Sequence, residues 1–369
     1  MKDWYLVNNI EAFDTPALMV YEQRVRQNIA TAVKMTGEVS RLRPHVKTHK
    51  CAAVARLQLE AGITKFKCAT IAEAEMLARV EAPDVLLAYQ PNGPKLQRLL
   101  ALVKAYPKTI FSCLIDNVHT AANLATAAIE NQTSIDVFID VNPGMNRTGI
   151  VAGEPAKKLY EDTAIMKGLH VRGFHVYDGH FTFPDYEHRK AACDAAFATV
   201  ENMQQELKLK GYPAPTIIAG GSPTFPIHAQ RKGIECSPGT FVFWDRGYQL
   251  SCPEQEFDLA ALVATRVISL PTPTLLCLDL GHKSVAAENE LTKRVYFLNA
   301  PEGVVTGHSE EHLLIELPVG HGFAVGNVLY GVAHHICPTV ALYDSALVAN
   351  DFTITAEWSI EARKRRITI

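Results

Sequence analysis

Eight residues, Arg43-Pro44-His45-Val46-Lys47-Thr48-His49-Lys50, bring two amines, two imidazoles and a guanidinium together between a β-prone run, Val39 to Leu42, and an Ala-rich helical run, Ala52 to Leu59. A strand end opening onto a helix is where a barrel enzyme keeps its chemistry. Neighbours that disfavour the protonated form would expose Lys47 as a nucleophilic amine, which makes it a candidate Schiff-base lysine. The simpler alternative is a basic loop that binds an anion or only water.

Three further groups have chemical content. Gly220-Gly221-Ser222-Pro223-Thr224 has the makings of a phosphate cradle, since glycines let backbone N–H groups approach an anion and two hydroxyls can donate as well. A phosphate loop together with a Schiff-base lysine suggests a phosphorylated aldehyde cofactor, pyridoxal 5′-phosphate. Arg147, in Gly144-Met145-Asn146-Arg147-Thr148-Gly149, could then meet the cofactor's phenolic oxygen or a substrate carboxylate. In His334-His335-Ile336-Cys337-Pro338, residues His335 and Cys337 are two apart, so extended backbone would project both from one face as ligands for a divalent metal (Zn, Mn or Mg). A pair is short of the three or four ligands a site needs, so water and substrate would complete it. Ser309-Glu310-Glu311-His312 is another candidate lining, with a solvated turn as the simpler account.

These residues need elements to position them. Eight strand-like runs alternate with amphipathic segments: Ala17 to Tyr21, Leu42 to Lys47, Lys65 to Thr70, Val85 to Tyr89, Phe111 to Asp116, Val137 to Val141, Val171 to Tyr177 and Thr216 to Ala219. Helical segments are expected over Val25 to Met35, Ile71 to Val80, Pro94 to Ala105, Ala121 to Ala128, Pro155 to Met166 and Arg189 to Leu207. The rhythm predicts an α/β fold, a (β/α)8 TIM barrel over residues 12–248. Polar residues then fall at the C-terminal ends of the strands, among them Lys47, His49, Thr70, Gln90, Asp116, Arg147, Tyr177 and His180. After Tyr248 the texture turns to β-type runs punctuated by Pro253, Pro271, Pro273 and Pro301. These runs, which include Thr339 to Leu342, predict a C-terminal all-β domain over 249–369, joined by an N-terminal strand within 1–11 around Trp4 to Val7.

Composition narrows the function classes. The 369 residues are 48% hydrophobic with 36 basic and 39 acidic side chains and a net charge of −3, which argues against a nucleic-acid surface. Eight cysteines without a Cys-x-x-Cys pair suit a reducing, cytoplasmic chain. The N-terminus lacks an apolar signal core, and no apolar run is long enough for a membrane span.

Taken in order, Arg43 to Lys50, Gly144 to Gly149, Tyr177-Asp178-Gly179-His180, Gly220 to Thr224, Ser237-Pro238-Gly239-Thr240, Ser309 to His312 and His335 to Thr339 resemble the fold-type III pyridoxal-phosphate group of D-threonine aldolases and eukaryotic-type D-serine dehydratases. The resemblance implies an alanine-racemase-like barrel plus β domain and a homodimer with sites near the subunit interface. It also implies Lys47 as the cofactor lysine, Arg147 near the cofactor oxygen, Tyr177 as an active-site aromatic, Gly221, Ser222 and Thr224 around the phosphate, and His335 with Cys337 on a divalent metal. The implied reaction is retro-aldol cleavage of D-threonine-like substrates to glycine and an aldehyde. The alternative is dehydration of a D-hydroxy amino acid to a 2-oxoacid and ammonia, the reaction that the His-x-Cys pairing favours. His180, His49 or a metal-bound water is the candidate base. A pyridoxal-phosphate carrier without catalysis, a metal-dependent barrel hydrolase and a racemase or decarboxylase of the same fold are the competing classes.

Overall fold

The computed structural model describes residues 3–369, so Met1 and Lys2 of the expected N-terminal strand lie outside it. Packing divides the chain into two compact units: Ala32–Lys47, Ala55–Gly239 and Lys364–Ile369 form one, and the residues up to Thr31 with Thr48–Val54 and Thr240–Arg363 form the other.

In the first unit, short apolar runs buried on both faces alternate with amphipathic helices, the pattern of a parallel sheet covered by its own crossovers. The strands Lys65–Cys68, Asp84–Leu87, Ile110–Ile115, Ile135–Asn142, Leu169–Val176, Thr216–Ala219 and Ile234–Cys236 lie side by side in that order, all parallel. The segment 42–46 joins the two edges. On one side Arg43 N–H donates to Cys236 C=O and His45 N–H to Pro238 C=O, both at 2.8 Å; on the other Val46 N–H reaches Lys67 C=O at 2.9 Å and Lys67 N–H reaches Pro44 C=O at 2.8 Å. Pro44, which has no N–H, sits where only an acceptor is required. The sheet is thereby closed as a barrel with eight staves.

Two assignments change. Ala17–Tyr21, expected as the first barrel strand, belongs to the second unit, where it pairs antiparallel with Ala261–Ser269 and parallel with Ser345–Asn350. Ile234–Cys236 is the eighth stave, so the barrel starts at 42–46 and the boundaries at residues 12 and 248 are not those of the packing. All five residues of Ala17–Tyr21 are buried, and such a run fits the interior of either sheet equally well.

Arg43 closes the N-terminal end of the barrel. Its guanidinium is almost fully buried, gives Nη1 and Nη2 to the two oxygens of Asp84 at 2.6 and 2.9 Å, and gives Nε to Glu235 at 2.7 Å, while Lys65 also bonds Glu235. Removing one partner of a buried charge network strands the others, so Arg43→Ala should cost about 3–5 kcal/mol, read from urea unfolding. Above this layer Leu86, Leu114, Phe138 and Ile218 fill the interior. Two residues beyond Phe138, on the same strand face, stands Asp140, and the interior turns polar.

The second unit is a mixed sheet in the order Val304–His308, Leu313–Glu316, Leu275–Leu278, Ala261–Ser269, Ala17–Tyr21, Ser345–Asn350 and Thr353–Ser359, with Val328–Ala333 and Val295–Phe297 branching from Ala261–Ser269. Residues 4–7 form no strand, although Tyr5 and Val7 are buried in this unit and Asn8 N–H donates to Phe352 C=O. The expected strand Thr339 to Leu342 is replaced by a helical turn, Ile336–Val340, so Cys337 is helical and His335 is its N-cap. Among the described residues no helix is long and apolar enough to cross a membrane. All eight cysteines are free thiols.

Candidate active site

Within the barrel, the residues at the C-terminal strand ends assemble around one aromatic ring. Tyr177 follows the strand Leu169–Val176. The Lys47 and Lys67 amines each lie 5.6 Å from its ring centroid, and the Arg147 guanidinium lies 4.8 Å away. Two glycines admit that ring: a Cβ at Gly179 would stand 2.2 Å from the Tyr177 hydroxyl, and one at Gly221 would stand 2.9 Å from Cε2. Lys47, half-buried in the turn after the 42–46 stave, donates its backbone N–H to His45 Nδ1 at 3.3 Å. The amine set against it is Lys67, which the local sequence did not suggest. Burial, then the nearby Lys47 charge, lowers Lys67 to about 7 against the pull of Asp178 and Asp140.

Hydrogen bonds fix the surroundings. Asp140 Oδ1 meets His175 Nδ1 at 2.8 Å, and Gln90 Nε2 donates to Asp140 and Asp116 at 2.9 and 3.0 Å. Burial opposes ionisation of Asp140, but these bonds and the His175 charge hold it below the usual carboxylate range. The His175 Nε2 atom is buried without a hydrogen-bond partner, as is His180 Nδ1. His180 leans on the Arg147 loop, where a Cβ at Gly144 would stand 3.4 Å from its Nε2. Thr70 and Asn117 cap helices instead, accepting the N–H of Glu73 and Thr120.

The glycine loop is held from behind. Thr224 Oγ1 donates to Asp178 Oδ1 at 2.6 Å and accepts the Gly221 N–H at 3.2 Å, so its hydroxyl shapes the loop. Asp178 Oδ2 lies 2.7 Å from His228 Nε2, and Arg231 Nη1 lies 2.6 Å from His228 Nδ1. Arg231 can only donate, so Nδ1 is the acceptor and Nε2 carries the proton given to Asp178. Asp178, Cys193 and His228 have the ligand types of a metal site, with their ligand atoms within 4.8 Å of one another. Their chemistry is nevertheless that of a hydrogen-bond relay: the histidine nitrogen facing the cluster is protonated, and burial pushes the Cys193 thiol up to about 12.

The expected metal pair stands in the second unit. Glu288 Oε1 lies 2.6 Å from His335 Nδ1, and the Thr48 and Thr240 hydroxyls lie 3.1 and 3.6 Å from Cys337 Sγ. Hydrogen bonding to Cys337, with Glu288 at Nδ1, raises the His335 imidazole to about 9, which means that the surroundings favour positive charge at this pair. That suits a divalent cation held by imidazole and thiolate. Asp245 positions the pair by accepting the backbone N–H groups of Ile336 and Tyr248 at 3.1 and 2.9 Å. Thr48 directly follows Lys47 in the chain. His49 is buried with Nδ1 on the Cys51 N–H at 3.2 Å, and burial lowers it to about 3.

The barrel residues fit a phosphorylated pyridine aldehyde: a half-buried amine, an aromatic face between two glycines, a guanidinium and a fixed loop carrying Ser222, in which the Gly220 and Gly221 N–H groups are taken by Val176 C=O and Thr224 Oγ1. Residues 20–246 match the family model described as alanine racemase, N-terminal domain, and residues 260–349 match the putative serine dehydratase domain. The chain is 27% identical over 360 residues to a D-threonine aldolase from Arthrobacter sp., covering 95% of this chain and 93% of that one. It is 28% identical over 366 residues to a 3-hydroxy-D-aspartate aldolase from Paracoccus denitrificans, covering 95% and 92%. The crystal structure of D-threonine aldolase from Filomicrobium marinum superposes with a TM-score of 0.88 at 26% identity, covering 95% of each chain.

Proposed function

We propose, for a chain that belongs to the alanine racemase N-terminal domain family and carries a putative serine dehydratase domain behind it, the activity of a carbon–carbon lyase. Its substrates are D-β-hydroxy amino acids of the D-threonine type, cleaved to glycine and an aldehyde, as the likeness to three aldolases over 92–95% of their lengths supports. The observation that carries the reading is the meeting of Lys47, Lys67 and Arg147 on the ring of Tyr177.

When bound, pyridoxal phosphate supplies an electron sink for negative charge at Cα, and a divalent metal supplies a Lewis acid for the substrate's β-hydroxyl. Lys47 would hold the cofactor through its amine and could hold or pass on a proton at Nζ. Tyr177 would present a flat face to the ring, and Arg147 would attract its phenolic oxygen. The Gly221 and Ser222 portion of the loop would hold the phosphate, with Thr224 locking the loop to Asp178 through its hydroxyl. His180, whose buried Nδ1 is unpartnered, is the candidate to take the substrate's proton. His335 and Cys337 would hold the metal.

The same reading has the chain acting as a homodimer in the cytoplasm; sedimentation at twice the chain mass checks the first part. The test of stereochemistry is to incubate holoprotein and metal separately with D- and L-threonine. Glycine from the D-isomer alone supports the lyase, whereas interconversion of D- and L-alanine without glycine release would point to a racemase. Dehydration is the second reading, favoured by the thiol of Cys337 and the domain match over 260–349.

A further inference from the structure

Lys67 is a lysine where a strand of this kind has little reason to place one. In Lys65-Phe66-Lys67-Cys68 the side chains alternate, so Lys65 and Lys67 share one strand face. Lys65 reaches Glu235 at the N-terminal end of the barrel. Lys67, two residues nearer the C-terminal end, is 2% exposed and has its amine over Tyr177.

Burying an ammonium is costly unless a carboxylate is given over to it. The groups that face Lys67 are Lys47, Arg147, Tyr177, His175, Asp140 and Asp178. Both carboxylates are committed elsewhere: Asp140 to His175 and Gln90, Asp178 to His228 and Thr224. Both are held below the usual carboxylate range, and burial keeps His175 below its ordinary value, so none of the three changes charge above neutrality. Two positive neighbours, Lys47 and Arg147, oppose a third charge. Burial and these neighbours bring Lys67 to about 7. The imbalance reverses when an anion enters, because a phosphorylated ring with a phenolate oxygen adds negative charge to the space that Lys67 shares with Lys47 and Arg147.

We propose that Lys67 is a second cofactor-facing amine, neutral while no anion is bound and protonated by solvent when a phosphorylated pyridine fills the space around Tyr177. This rests on the reading of the barrel as a pyridoxal-phosphate site. The balance is one proton, moved from the buffer to Lys67 Nζ as the anion binds. No bond to the ligand is formed or broken. The added ammonium then attracts the ligand, so affinity and proton uptake rise together.

The test uses pyridoxine 5′-phosphate, the alcohol analogue, which cannot condense with Lys47. It is titrated calorimetrically into cofactor-stripped full-length protein at about pH 8, where the ligand phosphate is fully ionised, in two buffers of different ionisation enthalpy. A group lowered to about 7 is about nine-tenths neutral at about pH 8, so the wild type should take up about one proton per site more than Lys67→Met. Lys67→Met should also bind the analogue roughly tenfold more weakly. Lys67→Gln, which keeps length and polarity, replaces it should the methionine chain fail to fold. Equal proton uptake by wild type and variant, with the analogue bound to both, overturns the inference. An analogue that fails to bind wild type overturns the cofactor reading and this inference with it.

Discussion

Lys47→Ala should leave the protein folded and reduce D-threonine cleavage by on the order of 10⁴-fold or more, the scale of losing an indispensable covalent nucleophile. The side chain is half-buried in a turn and fills no core position, so melting should change little. The backbone N–H that meets His45 Nδ1 is retained in alanine. Its effect should appear in the spectrum as well as in the rate, because the visible absorbance of pyridoxal phosphate joined to a lysine would be lost. A variant that keeps that absorbance would transfer the role to another amine, and Lys67 is the one the structure places within reach of the same ring.

Cys337→Ala is expected to lose metal-dependent turnover, by on the order of 10²-fold or more, while keeping cofactor absorbance. A site with two protein ligands would have little affinity to spare, and the proposal makes Cys337 one of the two. Chelation of the wild type should mimic the substitution and added zinc or manganese should reverse it, whereas the variant should recover poorly. Glu288→Gln tests the support of the other ligand. Glu288 at His335 Nδ1 fixes which nitrogen is free, and orienting partners of this kind are worth about 10–100-fold in metal affinity. Chelator-resistant activity in wild type would remove the metal from the reaction.

The barrel was legible because its runs repeat at regular spacing, and the helix Pro94–Ala105 begins and ends where its sequence says it should. The eighth stave was not, since Ile234–Cys236 is three residues long and carries no periodicity. The proposed metal pair could be picked out as residue types but not as geometry. His335-Ile336-Cys337-Pro338 lies at the start of a helical turn rather than in a strand, with Pro338 in the first turn where its missing N–H costs nothing.

Lys67 was illegible for a different reason. An alternating Lys-Phe-Lys-Cys strand reads as half-exposed in an open sheet, whereas a closed barrel buries both faces. Asp178 with His228 and His335 with Glu288 join residues 50 and 47 positions apart, and no local spacing announces such pairs. A histidine or an aspartate next to a recognised site residue is the only hint the sequence offers.

The most direct test of the central claim is the product made from D-threonine by protein loaded with pyridoxal phosphate and with zinc or manganese. The mixture is assayed in parallel for acetaldehyde and glycine and for 2-oxobutanoate and ammonia. Acetaldehyde and glycine in equal amounts are the predicted result. 2-Oxobutanoate and ammonia would contradict it and make the chain a dehydratase.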